Sequence, residues 1–441
     1  MYIVVYTLML LITLCVGLRI YKVAFNPITV WASLWCLIGM LSNIAFYDYY
    51  PPSNFVNNFI IVGIIIYTIY CAFYGLHNLR ICRSSFYSED ICDNLKQNVF
   101  WTVNIVAILF EIPYLLRAIR TLMNHGFQLV YLRGVLTDST EGIVSGGLAS
   151  IIRDSGVKNV FTLTALYAAV LIFTEKNTKQ KRNIIILAIA ETVEYCVANA
   201  ARAYLVNFIF YVIFALLFLK RKSIISMIKS NKKVILLFSV LLVVGLIIQN
   251  SRASDMSILK TIYMYYCSGP SYLTKLLGDS STAIRVGRDY YYGTVTLGFI
   301  ANLYYYLKIG LVGINNSTVK LIASVITIKQ YFVGSHTLLN AMCTCFYAFL
   351  VDWGIWGAAI GPLIAGILSC RYYKLMKKRR SVGSIAICIY VFYLMFRTVF
   401  KWDLLYIDFS VVLLLNYFIC PIPGQKIVWG KVKQEAFYEA K

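Results

Sequence analysis

Apolar runs long enough to enter a bilayer recur from Tyr2 to Cys420, and every second gap between them is rich in Lys and Arg. The runs fall at 2–18, 28–46, 58–76, 99–116, 159–173, 184–200, 203–219, 234–250, 353–370, 382–399 and 404–420. Several are short of the ~20 residues a helix needs to cross the hydrocarbon core, so their flanks are expected to extend them. Few fold classes accept such a pattern, because a backbone in lipid must satisfy its own hydrogen bonds. The expectation is an all-α, polytopic integral membrane protein of about 11 transmembrane helices, with residues 1–441 as a single membrane domain. Composition agrees: 60% of the residues are hydrophobic and mean hydropathy is +0.72, whereas soluble domains are roughly 45 to 50% apolar.

Charge supplies the orientation. The gaps 19–27, 77–98, 174–183, 220–233 and 371–381, with the tail after Cys420, hold 25 of the 41 basic residues and 6 of the 19 acidic ones. All other positions together hold 16 basic and 13 acidic residues, an excess of +3 against +19. By the positive-inside rule the first set is cytoplasmic, which puts the N-terminus outside and the C-terminus inside. The net charge of +22 then reads as an orientation signal, with no nucleic acid expected as partner. The lipid bilayer is an expected partner, since Lys220-Arg221-Lys222 and Lys377-Lys378-Arg379-Arg380 suit anionic head groups. The first run lacks a basic leader and a small-residue cleavage site and reads as a retained helix. The twelve Cys are scattered without CxxC pairs and read as packing residues, with no metal site expected.

Two long polar segments, 117–158 and 250–339, then fall outside. Within the second, 294–312 is apolar enough to lie on the membrane as an interfacial helix. The stretch 340–351 is too short to span before Asp352 and reads as a half-helix re-entering from outside, and such broken helices line protein-enclosed sites. The runs 184–200 and 203–219 form a tight hairpin turning at Ala200-Ala201-Arg202-Ala203, with Glu191 and Glu194 three residues apart on one face. Ionisable residues in a span are costly, so this hairpin holds either a functional group or a Glu and Arg pair that locks two helices.

The outer gaps carry Arg117, Arg120, Arg133, Arg153, Arg202, Arg252, Arg285 and Arg288, with few Lys. Planar guanidinium forks suit phosphate oxygens, although Arg288 beside Asp289 and Arg252 near Asp255 equally fit local salt bridges. His336, beside the half-helix, is a candidate general base. Asp352 is the other acid–base candidate, or else the N-cap of the run that follows it. No nucleotide-binding loop, zinc motif or serine-hydrolase elbow occurs in the sequence.

Phe25-Asn26-Pro27-Ile28-Thr29 before a Trp-rich span, the Ala201-Arg202-Ala203 turn, and the run from Arg252 through Tyr265-Tyr266-Cys267-Ser268-Gly269-Pro270 resemble marks of the O-antigen polymerases, the Wzy-type family. Asn340, twelve residues before Asp352-Trp353-Gly354-Ile355-Trp356-Gly357, is similar to that family's Asn, then Asp-Phe-Gly, then Gly pattern. The chain departs from the pattern in having Met342-Cys343-Thr344 where Tyr-Thr is usual, and Trp353 for Phe. The resemblance implies a polymerase of the bacterial inner (cytoplasmic) membrane with a C-type glycosyltransferase-like helical architecture and a long periplasmic loop.

It also implies an undecaprenyl-diphosphate-linked oligosaccharide as donor and acceptor, with no cofactor, and leaves contact with a chain-length regulator open. On this basis Arg202, Arg252 and one or both of Arg285 and Arg288 hold the donor diphosphate and stabilise its departing charge. His336 or Asp352 takes the proton of the acceptor hydroxyl, and Glu191, Glu194 and Asn340 are further site candidates. The alternatives are an O-antigen ligase, using the same donor, and a polysaccharide flippase, which would show two related halves and short external loops.

Overall fold

The computed structural model describes residues 1–84, 91–92, 94–125, 152–174, 178–199, 201, 203–219, 258–279, 292–304, 330–339 and 344–421. Regular structure among them is helical apart from one small antiparallel hairpin, in which β1 (Tyr331–Phe332) pairs with β2 (Leu338–Leu339). The helices begin with α1 (Tyr2–Tyr21), α2 (Leu34–Ile44), α3 (Asn54–His77), α4 (Gln97–Asn124), α5 (Lys158–Ile172), α6 (Lys179–Ala198) and α7 (Ala203–Leu219). They continue with α8 (Ile258–Cys267), α9 (Gly269–Gly278), α10 (Thr344–Trp353), α11 (Gly357–Arg379), α12 (Val382–Arg397) and α13 (Asp408–Ile419), with shorter turns between.

Five stretches are long and apolar enough to cross a membrane: Tyr2–Tyr21, Asn54–His77, Gln97–Asn124, Arg153–Ile172 and Thr344–Arg379. The chain is therefore a multi-pass membrane protein. Length and composition support five spans among the described residues rather than the eleven expected. Thr29–Ile44, Ala203–Leu219, Val382–Arg397 and Asp408–Ile419 are apolar but shorter. Helix α6 covers the expected run 184–200 but carries Lys181, Arg182, Glu191 and Glu194, and 234–250 lies outside the described residues.

Three boundaries move in ways that matter. Helix α4 continues past 116 to Asn124, so Arg117 and Arg120 sit on a helix rather than in a loop. A π-turn, Arg153–Val157, leads directly into α5, so Arg153 is helical as well. The run expected at 353–370 begins at Gly357 and continues through Arg379. The chain divides into two compact units. The first gathers Met1–Phe86, Ile213–Arg379 and Cys388–Ser410, and the second gathers Tyr87–Val212, Arg380–Ile387 and Val411–Lys441.

In the first unit α3 lies along α11, with α1 and α2 packed together beside α3. Small residues permit the close approach that membrane helices need for van der Waals contact: Gly39 meets the Tyr6 ring, and Gly63 meets Phe346 and Pro362. Asn26 starts the helix that leads into α2. Its Oδ1 accepts the Ile28 and Thr29 N–H groups at 3.0 and 3.1 Å, and Pro27 follows at the first helical position, where its missing N–H costs nothing. The Phe25-Asn26-Pro27-Ile28-Thr29 stretch thus acts as a helix start.

Helices α10 and α11 form a hairpin rather than one rod. The chain reverses through Gly354, whose φ of +56° favours glycine, and α10 folds back so that Gly357 and Gly361 lie against Phe349. Every residue from Thr344 to Asp352 is buried, whereas Ile355 and Trp356 at the tip are exposed. The first N–H groups of α10 are met by the turn after α12. Thr344 N donates to the Phe400 carbonyl at 3.1 Å and Cys345 N to the Thr398 carbonyl at 2.8 Å. The Thr398 hydroxyl accepts both the Trp31 and the Trp35 indole N–H at 3.1 Å.

In the second unit Ala107, Val157, Val160, Phe161 and Tyr195 form an apolar cluster across α4, α5 and α6. The Tyr167 hydroxyl donates to Asn416 Oδ1 at 3.0 Å and ties α13 to α5.

A Cβ at position 357 would collide with the Phe349 carbonyl oxygen, a backbone atom. Gly357→Ala is therefore expected to cost more than the roughly 1–3 kcal/mol of ordinary overpacking, seen as a lower thermal unfolding midpoint in detergent. Gly278→Ala, with nothing within 4 Å, should leave the midpoint unchanged, and equal midpoints for both variants would rule out the tight α10–α11 turn.

Candidate functional site

Each unit holds a polar centre inside apolar surroundings. In the first, Asp352 is fully buried near the end of α10. Its Oδ1 accepts the Val295 N–H at 3.0 Å and its Oδ2 accepts the Thr296 N–H. Thr296 is held at two more atoms. Its hydroxyl accepts from Trp353 Nε1 at 3.3 Å and its carbonyl accepts from Trp402 Nε1 at 2.8 Å. The chain at 293–297 turns into a helical segment at 298–304, and the N–H groups at such a start need acceptors. A carboxylate meets them with a full charge.

Asp352 is therefore a cap, but not of the run that follows it. It lies inside α10 and serves a segment 56 residues earlier in the chain. With both oxygens engaged by N–H groups and no exposure, it is ill suited to exchanging protons with a substrate. The captured segment packs closely: a Cβ on Gly298 would meet the Leu405 carbonyl oxygen, and Asn302 Nδ2 donates to that carbonyl at 2.6 Å.

Directly after Trp402, the Asp403 carboxylate is shared by Arg397 Nε at 3.0 Å and Lys401 Nζ at 3.4 Å. Two cations on one carboxylate leave a surplus positive charge. Arg397 and Lys401 are 28% and 37% exposed. Arg397 lies over Tyr393 at 5.6 Å and Lys401 over Tyr406 at 4.3 Å. Sequence reasoning passes over this pair because Arg397 falls inside an apolar run. Two bases four positions apart at a run boundary were the available signal.

His336 is exposed in the turn between β1 and β2. The hairpin that carries it is pinned: Tyr50 N donates to the Val333 carbonyl at 2.9 Å, and the Tyr331 hydroxyl donates to Asp279. Burial, followed by the Asp279 carboxylate, pushes the Tyr331 phenol up to about 12, so it remains a donor at neutral pH. His336 and Asp352 belong to the same unit without a hydrogen bond between them. Arg202, Arg252, Arg285, Arg288 and Asn340, with Arg133, lie outside the described residues.

The second unit holds an ion pair that sequence reasoning missed. Glu111 on α4 is buried, and Arg153 grips it with Nε at 2.9 and 3.1 Å and Nη2 at 2.6 Å. The Tyr114 and Tyr195 rings flank the guanidinium at 4.5 and 5.5 Å. Arg153 was expected among the outward arginines, whereas it is 1% exposed and its Nε and Nη2 are engaged by Glu111. Glu111 is the single acid in the apolar run 99–116, a signal that an intramembrane charge normally gives.

Glu191 on α6 is 1% exposed and makes no hydrogen bond of ordinary geometry at either oxygen, with the Thr164 hydroxyl facing it. Glu194 is half-buried, within electrostatic reach of Glu111. Among the described residues, then, the Glu and Arg lock of this unit is Glu111 with Arg153. His336 and Asp352 belong to one unit and Glu191 and Glu194 to the other. No group of three or more metal-ligating side chains occurs among the described residues.

Compared with protein-family models, curated proteins and solved structures, the chain matches none. Its own residues must carry any functional reading.

Removing one partner of a buried ion pair strands the other, so Glu111→Ala is expected to cost about 3–5 kcal/mol. The double change Glu111→Leu with Arg153→Met should recover most of that loss, since an apolar replacement strands no charge. Unfolding midpoints of the single and double variants decide it, and equal losses would refute the pairing.

Proposed function

We propose that this chain is a lipid-linked-oligosaccharide-dependent glycosyltransferase, a polymerase of repeat units carried on undecaprenyl diphosphate at the outer face of a bacterial inner membrane. The observation that supports this best is the half-length helix α10. It is buried along its length and folded back on α11, and through Asp352 it fastens part of the long 250–339 segment. Interrupted backbone at membrane depth is tolerated where protein encloses it or where it lines a cavity. A donor whose lipid stays in the bilayer while its sugar reacts at the edge suits such a place.

In the proposed reaction the acceptor hydroxyl loses its proton to a base as its oxygen attacks the donor's anomeric carbon. The bond from that carbon to the diphosphate oxygen breaks, and undecaprenyl diphosphate leaves with the bonding electrons. Cations aimed at the departing charge accelerate this step. Arg202, Arg252, Arg285 and Arg288 keep that proposed role, and Arg397 and Lys401 join them because they share one carboxylate and remain partly exposed. His336, exposed on a pinned hairpin, is the proposed base. Asp352 is reassigned from base to positioning residue.

In the native host, deletion of the gene is expected to collapse the surface-polysaccharide ladder on electrophoresis to a single-repeat species. Accumulation of unattached long chains would instead indicate a ligase, and lipid-linked repeats trapped on the cytoplasmic side a flippase. His336→Ala at normal membrane abundance should slow polymerisation about 10²–10⁴-fold. Lys401→Ala leaves Arg397 on Asp403 while removing a charge-assisted contact worth about 1.5–3 kcal/mol, so a loss of roughly 10- to 100-fold is expected. Unchanged ladders in both variants would remove them from the mechanism.

A further inference from the structure

Glu191 is a buried acid to which the proposed glycosyl transfer gives no role. Its helix α6 packs against α4 and α5, and the directions of the hydrogen bonds around Thr164 restrict what it meets there. Asn104 Nδ2 donates to the Phe100 carbonyl at 2.8 Å, which turns its Oδ1 toward Thr164. The Thr164 hydroxyl donates to that Oδ1 at 2.7 Å, and the Val160 carbonyl at 3.1 Å is another acceptor. A hydroxyl has one hydrogen. Lone pairs are therefore what Thr164 turns toward Glu191, and a carboxylate cannot pair with them. A carboxylic acid can, through its own O–H.

The surrounding charges favour the same form. Arg153 is engaged by Glu111. Glu194 acts on Glu191 from one turn along α6. Asp154 adds negative charge near Tyr195, while Glu111 and Arg153 offset one another. Lys158 opens α5 nearly two turns before Thr164. Among the described residues, no cation is paired with Glu191.

We propose that Glu191 is a proton-binding site inside the second unit, a carboxylic acid at neutral pH that donates to Thr164 and exchanges its proton with Glu194. In the exchange, H⁺ leaves the Glu191 oxygen and joins the Glu194 carboxylate, so one acid and one anion remain before and after. Half-buried Glu194 is the relay between the dry site and the surroundings. The site does not depend on the glycosyl-transfer reading.

Infrared spectroscopy of the full chain in lipid vesicles tests this. At pH 7 the carbonyl stretch of a protonated carboxylic acid is expected in the wild type and lost in Glu191→Gln. Gln also donates to a lone pair, so this variant should keep the wild-type unfolding midpoint. Spectra that match in the acid region, or a Gln variant that no longer folds, would overturn the proposal, the latter because a neutral isostere must be tolerated where a neutral acid sits. In deuterium oxide the band should shift at least tenfold more slowly in Glu194→Gln, and an unchanged rate would overturn the relay.

Discussion

A dry interior offers no water to the N–H groups laid bare where a helix starts or breaks, and the contact of Asp352 with Val295 and Thr296 is how the first unit meets that demand. One carboxylate takes two N–H groups, while Trp353 and Trp402 take the hydroxyl and carbonyl of the same threonine. The end of α10, the turn after α12 and a piece of the long 250–339 segment are thereby held as one body. The opposite end of α10 is completed in the same fashion by the carbonyls of Thr398 and Phe400. The start of α10 and the turn at 293–297 are both finished by distant parts of the chain, so packing sets the shape of this region. Groups carried on such supports keep their positions better than groups on free loops.

The second unit shows two answers to a different demand, that of keeping ionisable groups out of water. Glu111 and Arg153 answer with a bidentate ion pair between aromatic faces. Desolvation offsets much of what such a pair contributes, so its effect is felt mainly when one half is taken away. Glu191, which precedes Tyr195 by four positions on α6, is paired with no cation among the described residues, and the neutral acid proposed for it is the other answer.

How much of this was legible in the sequence depends on how local the signal was. Apolar runs located most of the helices, because burial in lipid needs only length and composition. Asn26-Pro27 marked a real helix start, since a cap and its N–H groups lie within three residues. The role of Asp352 was not legible: the groups it caps lie 56 and 57 residues away, and the short-range N-cap rule pointed to the wrong helix. Arg153 was misplaced for a related reason. Counting charge by side treats every base in a gap as solvated, whereas this one belongs to a π-turn that carries it into the helix. Fewer helices among the described residues reach bilayer length than there are apolar runs, because an apolar run and a bilayer-length helix are different things, as the shorter α12 and α13 show.

The exposed tip of the α10–α11 hairpin has a geometric consequence of its own. Trp356 stands at one end of α11, and Lys377, Lys378 and Arg379 close the other. At 1.5 Å per residue, the 23 residues of Gly357–Arg379 measure about 34 Å, close to the roughly 30 Å of hydrocarbon in a typical bilayer. An indole, which favours the interface, and a run of basic residues, which favours head groups, thus flank a helix of about one membrane thickness. Helix α11 therefore matches a bilayer in length and carries at its two ends residue types that interfaces favour, so composition and length agree on this one segment.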